Sequence, residues 1–525
     1  MNLSETSNDT ISYINELKKK VTEQEKALRE QQMRIDKLQE MLAKSQKALY
    51  GQSSEKSRYV LGETDQLSLF NEAELETQKK AEEPTAEQVI SFVRKPKRTK
   101  EEIAKDLPVV EVVCDLKEEE NACVTCGSEL RVLGKEEVRT ELVIIPAQMR
   151  VLKYVRLNYV CTDCEKQTGF ATIMKAPVPA PVMKHSLASP SSVAHVMYQK
   201  YVNAVPLYRQ EKDWANMGFT LGRNTLANWI IRPTNDWLVP LYERMKKVLL
   251  QSTVIHADET VVQVLKEKDK SPSSESRMWV YCSGSYEKTP MVLYEYQPTR
   301  SGEHARRFLN GFTGFLQTDG FLGYAKVQNV THCGCWAHLR RKFQDAMPKT
   351  DCIVGSSAAK GYEYCNKLFA IEKEISSLSA NERHIERQKQ SKPVLDAFWS
   401  WVQTVSAVGG SKLAEAITYS VNQQKALCAF MENGNIELSN NRAENAIRPF
   451  VIGRKNWLFS DTVRGADASA VVYSIVESAK LNDLNIYGYL LHLLTALPSI
   501  DFKSNPQLLD NLLPWAKALP DICKK

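Results

Sequence analysis

The sequence predicts a multidomain α+β protein: an N-terminal coiled coil, a cysteine-knuckle module, a helical domain, and an α/β core interrupted by a helical insertion. Three observations carry that expectation. Apolar residues recur every seven positions near the N-terminus, two Cys-x-x-Cys pairs bracket a β-rich stretch, and strand-like text later alternates with helical text. At 525 residues the chain holds several domains' worth of sequence, and 43% hydrophobic residues suffice to bury their cores. The formal charge of +6 is too small to define a partner, but its uneven distribution makes local polyanion-facing patches. The N-terminus lacks a charged-then-apolar leader, and no window approaches about 18 uninterrupted apolar residues. A cytoplasmic protein in a reducing compartment, without a membrane partner, is therefore expected.

The coiled coil is placed at residues 11–50. Ile14, Val21, Leu28, Ile35, Leu42 and Leu49 occupy one heptad position, while the second seam mixes Leu17 and Leu38 with Gln24, Gln31 and Ser45. Polar interruptions of this kind set register and limit oligomer size at a cost in stability, so a homo-oligomer is expected through this segment. Residues 51–108 lose periodicity and read as a linker whose basic cluster, Arg94, Lys95, Lys97, Arg98 and Lys100, is able to neutralise phosphates or simply to stay solvated. In residues 109–175, Cys123-x-x-Cys126 and Cys161-x-x-Cys164 supply the four soft ligands of a closed tetrahedral zinc site, with the text between them forming a hairpin. This reads as a structural zinc ribbon, with Cys114 outside the spacing.

Residues 186–250 are helical in pattern. Within them a first helix at 209–217, a turn at 218–221 and a second helix at 223–231 resemble a helix-turn-helix that would offer Arg223, Asn224 and Asn228 to a DNA major groove. Two-helix corners also occur as plain packing units, so both readings stand. From Ser252 the text turns to β: STVIHADETVVQVL, RMWVYCSG and PMVLYEYQP read as successive strands, followed by the helix GEHARRFLN, the strand GFLQTDG, a short helix around Tyr324 and strand-like THCGCW. Three strands followed by alternating helix and strand is the order of a ribonuclease-H-like α/β domain, here split into 251–348 and 436–482 around a helical insertion at 349–435. Residues 483–525 read as a C-terminal helical tail.

Three acids stand out in that core. Asp258 and Glu259 are adjacent on a strand and so point to opposite faces; Asp258 is the one assigned to the site. Asp319 ends a strand just before Gly320, where it also reads as a turn-forming Asp-Gly. Glu444 competes with a capping-box role, because Asn441-x-x-Glu444 has that spacing. Hard divalent cations take oxygen ligands, so convergence of these three carboxylates would make a two-metal site for phosphoryl transfer. Arg448 lies one helical turn from Glu444, where it either pairs the glutamate or holds a phosphate, and Arg454 and Lys455 follow as phosphate contacts, with Trp457 expected in the core. Arg340, Arg341 and Lys342 are expected as an exposed basic cluster facing DNA, beside the Cys335-x-x-His338 element. Four donors crowded into His332, Cys333, Cys335 and His338 are a poor zinc site, so packing is the expected role of that element.

The pattern as a whole resembles transposases of the insertion-sequence-sixty-six family. The resemblance is carried, in order, by the heptads and YGQSSEKS, the two knuckles, LASPSSVAHVMYQKYVNAVPLYRQE, HADET, LQTDGFLGY, GCWAHLRRKF and IELSNNRAENAIRPFVIGRKNWLFSDT, from about residue 11 to Pro498. It implies a DDE transposase whose acids are Asp258, Asp319 and Glu444, acting with two Mg2+ or Mn2+ ions on terminal inverted repeats and target DNA, nucleoid-associated when bound. It also implies accessory proteins from the same element. Two other functions stay open: a non-catalytic zinc-ribbon and helix-turn-helix regulator, and a ribonuclease-H-like nuclease without strand joining.

Overall fold

The protein is described from a computed structural model over residues 148–161, 172–347 and 356–525, with isolated helical positions at 19–21, 23, 24, 31 and 34. The chain divides into two units, residues 1–50 with 149–525 and residues 51–148. Most of the expected coiled coil, the linker, and Cys123, Cys126 and Cys164 lie outside the described residues. Cys161 ends strand β1 (Asn158–Cys161), which pairs antiparallel with β2 (Thr172–Lys175). Its side chain is outside the described set.

A helical layer follows. Helix α1 (Pro190–Tyr201) starts at a Ser189–Ser192 capping box with proline at its first position, where the missing N–H costs nothing. α2 (Leu207–Asn216) and α3 (Arg223–Pro233) form the two-helix corner, closed by Trp214 against Trp229 at 5.8 Å. A π-helical turn at Thr234–Leu238 then leads into α4 (Val239–Leu249).

The sheet comes next. β3 (Val254–Lys266), β4 (Glu275–Ser283) and β5 (Val292–Gln297) form an antiparallel meander. After α5 (Gly302–Phe308) the chain returns to the other side of β3, where β6 (Phe315–Gln317) pairs in parallel. A 3-10 turn at Leu322–Lys326 precedes β7 (Thr331–Cys333), parallel to β6, and α6 (Trp336–Asp345) follows. The spatial order is β5-β4-β3-β6-β7.

Between α6 and the last part of the core lies a helical insertion: α7 (Ser357–Glu374), α8 (Ala380–Glu386), a π-helical turn at Arg387–Ser391, α9 (Lys392–Val402), α10 (Lys412–Asn422) and α11 (Gln424–Cys428). It buries Phe398, Trp401, Leu413 and Phe430 around Trp336 of α6, whose indole N–H donates to the Leu427 carbonyl at 2.8 Å. The fully buried Arg387 pairs with Glu372 and donates to the carbonyls of Phe430, Asn433 and Ile436 at 2.7–2.9 Å. A charge is tolerated there because all of its donors are used.

α12 (Asn441–Trp457) then crosses the sheet, and β8 (Ser460–Thr462) pairs in parallel with the distal half of β3 at Val264 and Lys266. α13 (Val463–Leu481) is buried along most of its length against the edge strand β5: Ser474 and Ser478, one turn apart, accept the N–H groups of Tyr294 and Val292. That satisfies an edge that would otherwise be open to pairing. α14 (Ile486–Ala496) packs on α1, with Tyr487 edge-on to Tyr198 at 6.0 Å. The C-terminal segment is thus part of the packed body rather than a tail, and its Cys523 is fully buried. Among the described residues no helix is long and apolar enough to cross a membrane.

Candidate functional site

The long strand β3 carries the first acid. Its lower half pairs with β6 up to His256 opposite Gln317; Asp258 and Asp319 each lie two residues beyond that pair. Neighbouring strands run about 4.8 Å apart, so the two carboxylates emerge side by side where β6 leaves the sheet. Asp319 accepts the Phe321 N–H at 2.9 Å, and Gly320 follows at φ +94°, a left-handed conformation that favours glycine. The turn role expected for Asp-Gly is therefore real, and it occupies one oxygen of the carboxylate. The Asp319 carbonyl is held by the Tyr419 hydroxyl of α10 at 2.9 Å.

Glu444 arrives on the first turns of α12, and the capping box does not form. The N-cap is Asn440, one residue earlier than the spacing implies, and it makes no side-chain cap. Its fully buried side chain instead reaches across to β3: Nδ2 donates to the Ala257 carbonyl at 2.9 Å, and Oδ1 lies 3.2 Å from His256 Nδ1. His256 Nε2 in turn sits 2.6 Å from Glu437 Oε2. The third acid is thereby pinned to the residues directly before the first. Asn440, His256 and Glu437 were missed in the sequence; the visible signal was a run of polar residues flanking the acids on otherwise apolar elements.

The electrostatics of the pocket follow from burial. Asp258 is buried, and desolvation pushes its carboxyl well above the usual carboxylate range; the charges of Glu259, Asp319 and Glu444 push it the same way, with only the Glu259 N–H opposing. Glu259 is also raised, by burial and then by Asp319, but both its oxygens are taken: Arg300 Nε donates at 2.8 Å and the Tyr324 hydroxyl at 2.7 Å. Glu444 Oε1 is buried without a hydrogen-bond partner among the described residues. His338 Nδ1 and Arg341 Nη2 each stand 3.7 Å from a Glu444 carboxylate oxygen. A buried acid cluster with an orphaned oxygen and mutually repelling charges fits a divalent cation.

The remaining expected contacts divide. Arg223, Asn224 and Asn228 are exposed on the outer face of α3, while Leu226, Trp229 and Ile230 of the same helix face inward. Arg448 is half-buried one turn past Glu444, and Lys455 is exposed. Arg454 is half-buried and donates to the Val261 carbonyl of β3. The cluster at Arg340, Arg341 and Lys342 is half-buried rather than exposed: Arg340 donates to the Tyr362 hydroxyl at 3.0 Å, Arg341 faces Glu444, and Lys342 lies over the Tyr419 ring. The insertion supplies the aromatic partners that the sequence alone could not assign to them. Trp457 is half-buried and packs near Tyr201 and Tyr473.

Comparison with known proteins finds the model of the "Transposase IS66 family" matching residues 185–468, more than half of the chain. The chain belongs to the IS66 transposase family. The family's "zinc-finger binding domain of transposase IS66" matches residues 120–165, spanning both cysteine knuckles, and its "C-terminal element" matches residues 474–515. A further match, "Transposase C of IS166 homeodomain", covers residues 37–112, running from the last heptads through the segment expected as a linker. Similar chains come from Sinorhizobium fredii (strain NBRC 101917 / NGR234). The uncharacterized protein y4jD is 31% identical over 431 residues, 79% of this chain and 81% of its own. The uncharacterized protein y4hP is 29% identical over 509 residues, 90% and 87% of the two chains. IS66 membership makes this chain a transposase with a zinc-finger domain, DNA-acting by family.

Proposed function

We propose that this IS66 transposase cuts and joins DNA at the ends of its mobile element through a ribonuclease-H-like core in which Asp258, Asp319 and Glu444 hold two Mg2+ or Mn2+ ions. The reading is supported by the electrostatic reach of acids on three elements: Asp319 at the end of β6 and Glu444 on α12 both raise the carboxyl of Asp258 on β3. The sheet order β5-β4-β3-β6-β7, with an antiparallel meander on one side and parallel strands on the other, supports the core assignment. Bound ions of this kind supply Lewis acidity and lower the pKa of bound water or hydroxyl at the scissile phosphate.

The protein's own contribution is positional. Asn440 fixes α12 against β3, Tyr419 fixes the turn carrying Asp319, and Arg300 with Tyr324 keeps Glu259 out of the ligand set. Arg448 and Lys455 serve as backbone phosphate contacts, and Arg223, Asn224 and Asn228 of α3 enter the major groove at the element's end. Cys123, Cys126, Cys161 and Cys164 hold a structural zinc, and oligomerisation runs through the N-terminal heptads.

The test is Asp258→Asn in the full chain, with nicking and joining of labelled terminal-repeat DNA measured in Mg2+ and Mn2+. Cleavage falls by about 10³-fold or more, the order expected when several kcal/mol of charge stabilisation are lost, while DNA binding is retained. Wild-type-like nicking in that variant would remove Asp258 from the site. Nicking without joining of precut ends would reduce the function to that of a nuclease.

A further inference from the structure

The Cys335-x-x-His338 element has a third donor that its own sequence does not contain. Cys335 is the N-cap of α6, so His338 lies one turn on, over the same face of the helix. Glu444 of α12 closes the set: a sulfur, a ring nitrogen and a carboxylate oxygen all lie within 4.8 Å of one another. The crowding that argues against a zinc site within residues 332–338 does not apply here, because the other two donors have turned away. His332 Nε2 is 3.2 Å from the Val327 carbonyl, and the Cys333 thiol is directed to the Thr331 carbonyl at 3.7 Å.

We infer that Cys335, His338 and Glu444 form a binding site for a borderline divalent cation of the zinc class, leaving a fourth tetrahedral position to solvent. Two further features support it. His338 Nδ1 and Glu444 Oε1 are both buried without a hydrogen-bond partner among the described residues, at 3.7 Å from each other, and a shared cation would satisfy both. The buried Cys335 sulfur accepts the Asn440 N–H at 3.1 Å, the kind of outer-shell donor that stabilises a coordinated thiolate. Thiolate with imidazole selects zinc-class cations, whereas the proposed pocket at Asp258 and Asp319 is all oxygen and selects magnesium or manganese. Glu444 is common to both, so zinc-class binding would draw it away from the other two acids. Only that competition rests on the function proposed above; the site itself does not.

The experiment is a zinc count on the full chain, purified with reduced thiols, together with a cobalt titration followed by thiolate charge-transfer absorption. With a structural zinc ribbon present, the wild type holds about two zinc ions per chain, and Cys335→Ser or Glu444→Gln holds about one. Cys123→Ser/Cys126→Ser also holds about one, and its cobalt spectrum shows a single thiolate. That last variant leaves α6 and α12 untouched, so it reports the site even if Cys335→Ser does not fold. The inference is overturned if the ribbon variant binds no zinc, or if Cys335→Ser and Glu444→Gln keep the wild-type zinc content. Absence of magnesium-dependent nicking in wild type would sink the cation-pocket function instead, and would leave the zinc count unchanged.

Discussion

Asn440→Ala tests the link between fold and site most directly. The side chain is fully buried and makes two contacts, to the Ala257 carbonyl at 2.9 Å and to His256 Nδ1 at 3.2 Å. Truncation leaves one acceptor and one ring nitrogen without their partner in the core, at about 1–3 kcal/mol each, so the expected loss is about 2–6 kcal/mol. It also frees the start of α12 from β3, so Glu444 loses its fixed distance from Asp258 and cleavage falls further than the unfolded fraction explains. The measurement is the denaturant midpoint of the core, read by fluorescence of the buried Trp279 and Trp336, with nicking assayed on the same samples. Asn441→Ala is the control: that residue is exposed, and the change is expected to stay within about 0.5 kcal/mol. If Asn441→Ala costs as much as Asn440→Ala, or if Asn440→Ala costs less than about 0.5 kcal/mol, the helix is not anchored as argued.

Three further outcomes are expected. Burial alone would raise the Glu437 carboxyl, but the hydrogen bond and charge of His256, with Ser285 and Arg442, outweigh it and hold it at about 2, against 4.5 for an unperturbed Glu. Its contribution is therefore complete above about pH 5 and is lost as pH falls through 4.5 toward 2; Glu437→Gln should flatten the acid limb of a stability-versus-pH curve by up to about 3 kcal/mol, and an unchanged limb would count against the pairing. Arg387→Met strands Glu372 and three carbonyls, so it should destabilise the protein by about 3–5 kcal/mol in thermal or urea unfolding; a loss under 1 kcal/mol would mean that water replaces the guanidinium. Magnesium at about 100 times its dissociation constant should stabilise the wild type by about 2.7 kcal/mol, and Asp319→Asn should reduce that gain, with an equal magnesium shift in both proteins pointing to binding elsewhere.

The parts of this fold legible in the sequence are those with a period. The strands β3, β4 and β5 fall where alternating and continuous apolar text put them, and α2 ends within one residue of its expected end and α3 begins at its expected start because Gly218 and Gly222 punctuate the corner. Side-chain direction at element ends was not legible. A helix start displaced by one residue changes the role of every position in the first turn: with the N-cap at Asn440, Glu444 stands at the fourth helical position rather than the third, outside the capping box that Asn441-x-x-Glu444 suggested. β8 is three residues long and has no periodic signature; only its pairing with Val264 and Lys266 makes it a strand. Arg340 and Arg454 carry the charge expected of DNA contacts, but a guanidinium has no preference between a phosphate and a nearby carbonyl or tyrosine until the fold supplies one.

The insertion between the second and third acids is the clearest case of long-range information. Its composition reads only as helical, yet it reaches the candidate acids at two places. Tyr419 of α10 holds the Asp319 carbonyl, and its ring lies 3.3 Å from where a side chain at Gly320 would begin. At the second place Arg387 gathers the carbonyls of Phe430, Asn433 and Ile436, the segment that leads into Glu437, Asn440 and α12. The Trp336 N–H adds a bond to Leu438 at 3.0 Å, tying α6 to the same segment. On the proposed function Asp319 and Glu444 share one pocket across 444 − 319 = 125 positions, which requires both approaches to be fixed, and a packed helical body joined to each of them supplies that with a single hydrophobic core. The insertion is accordingly a brace for the acids, and damage to its interior should reach Asp319 and Glu444 together.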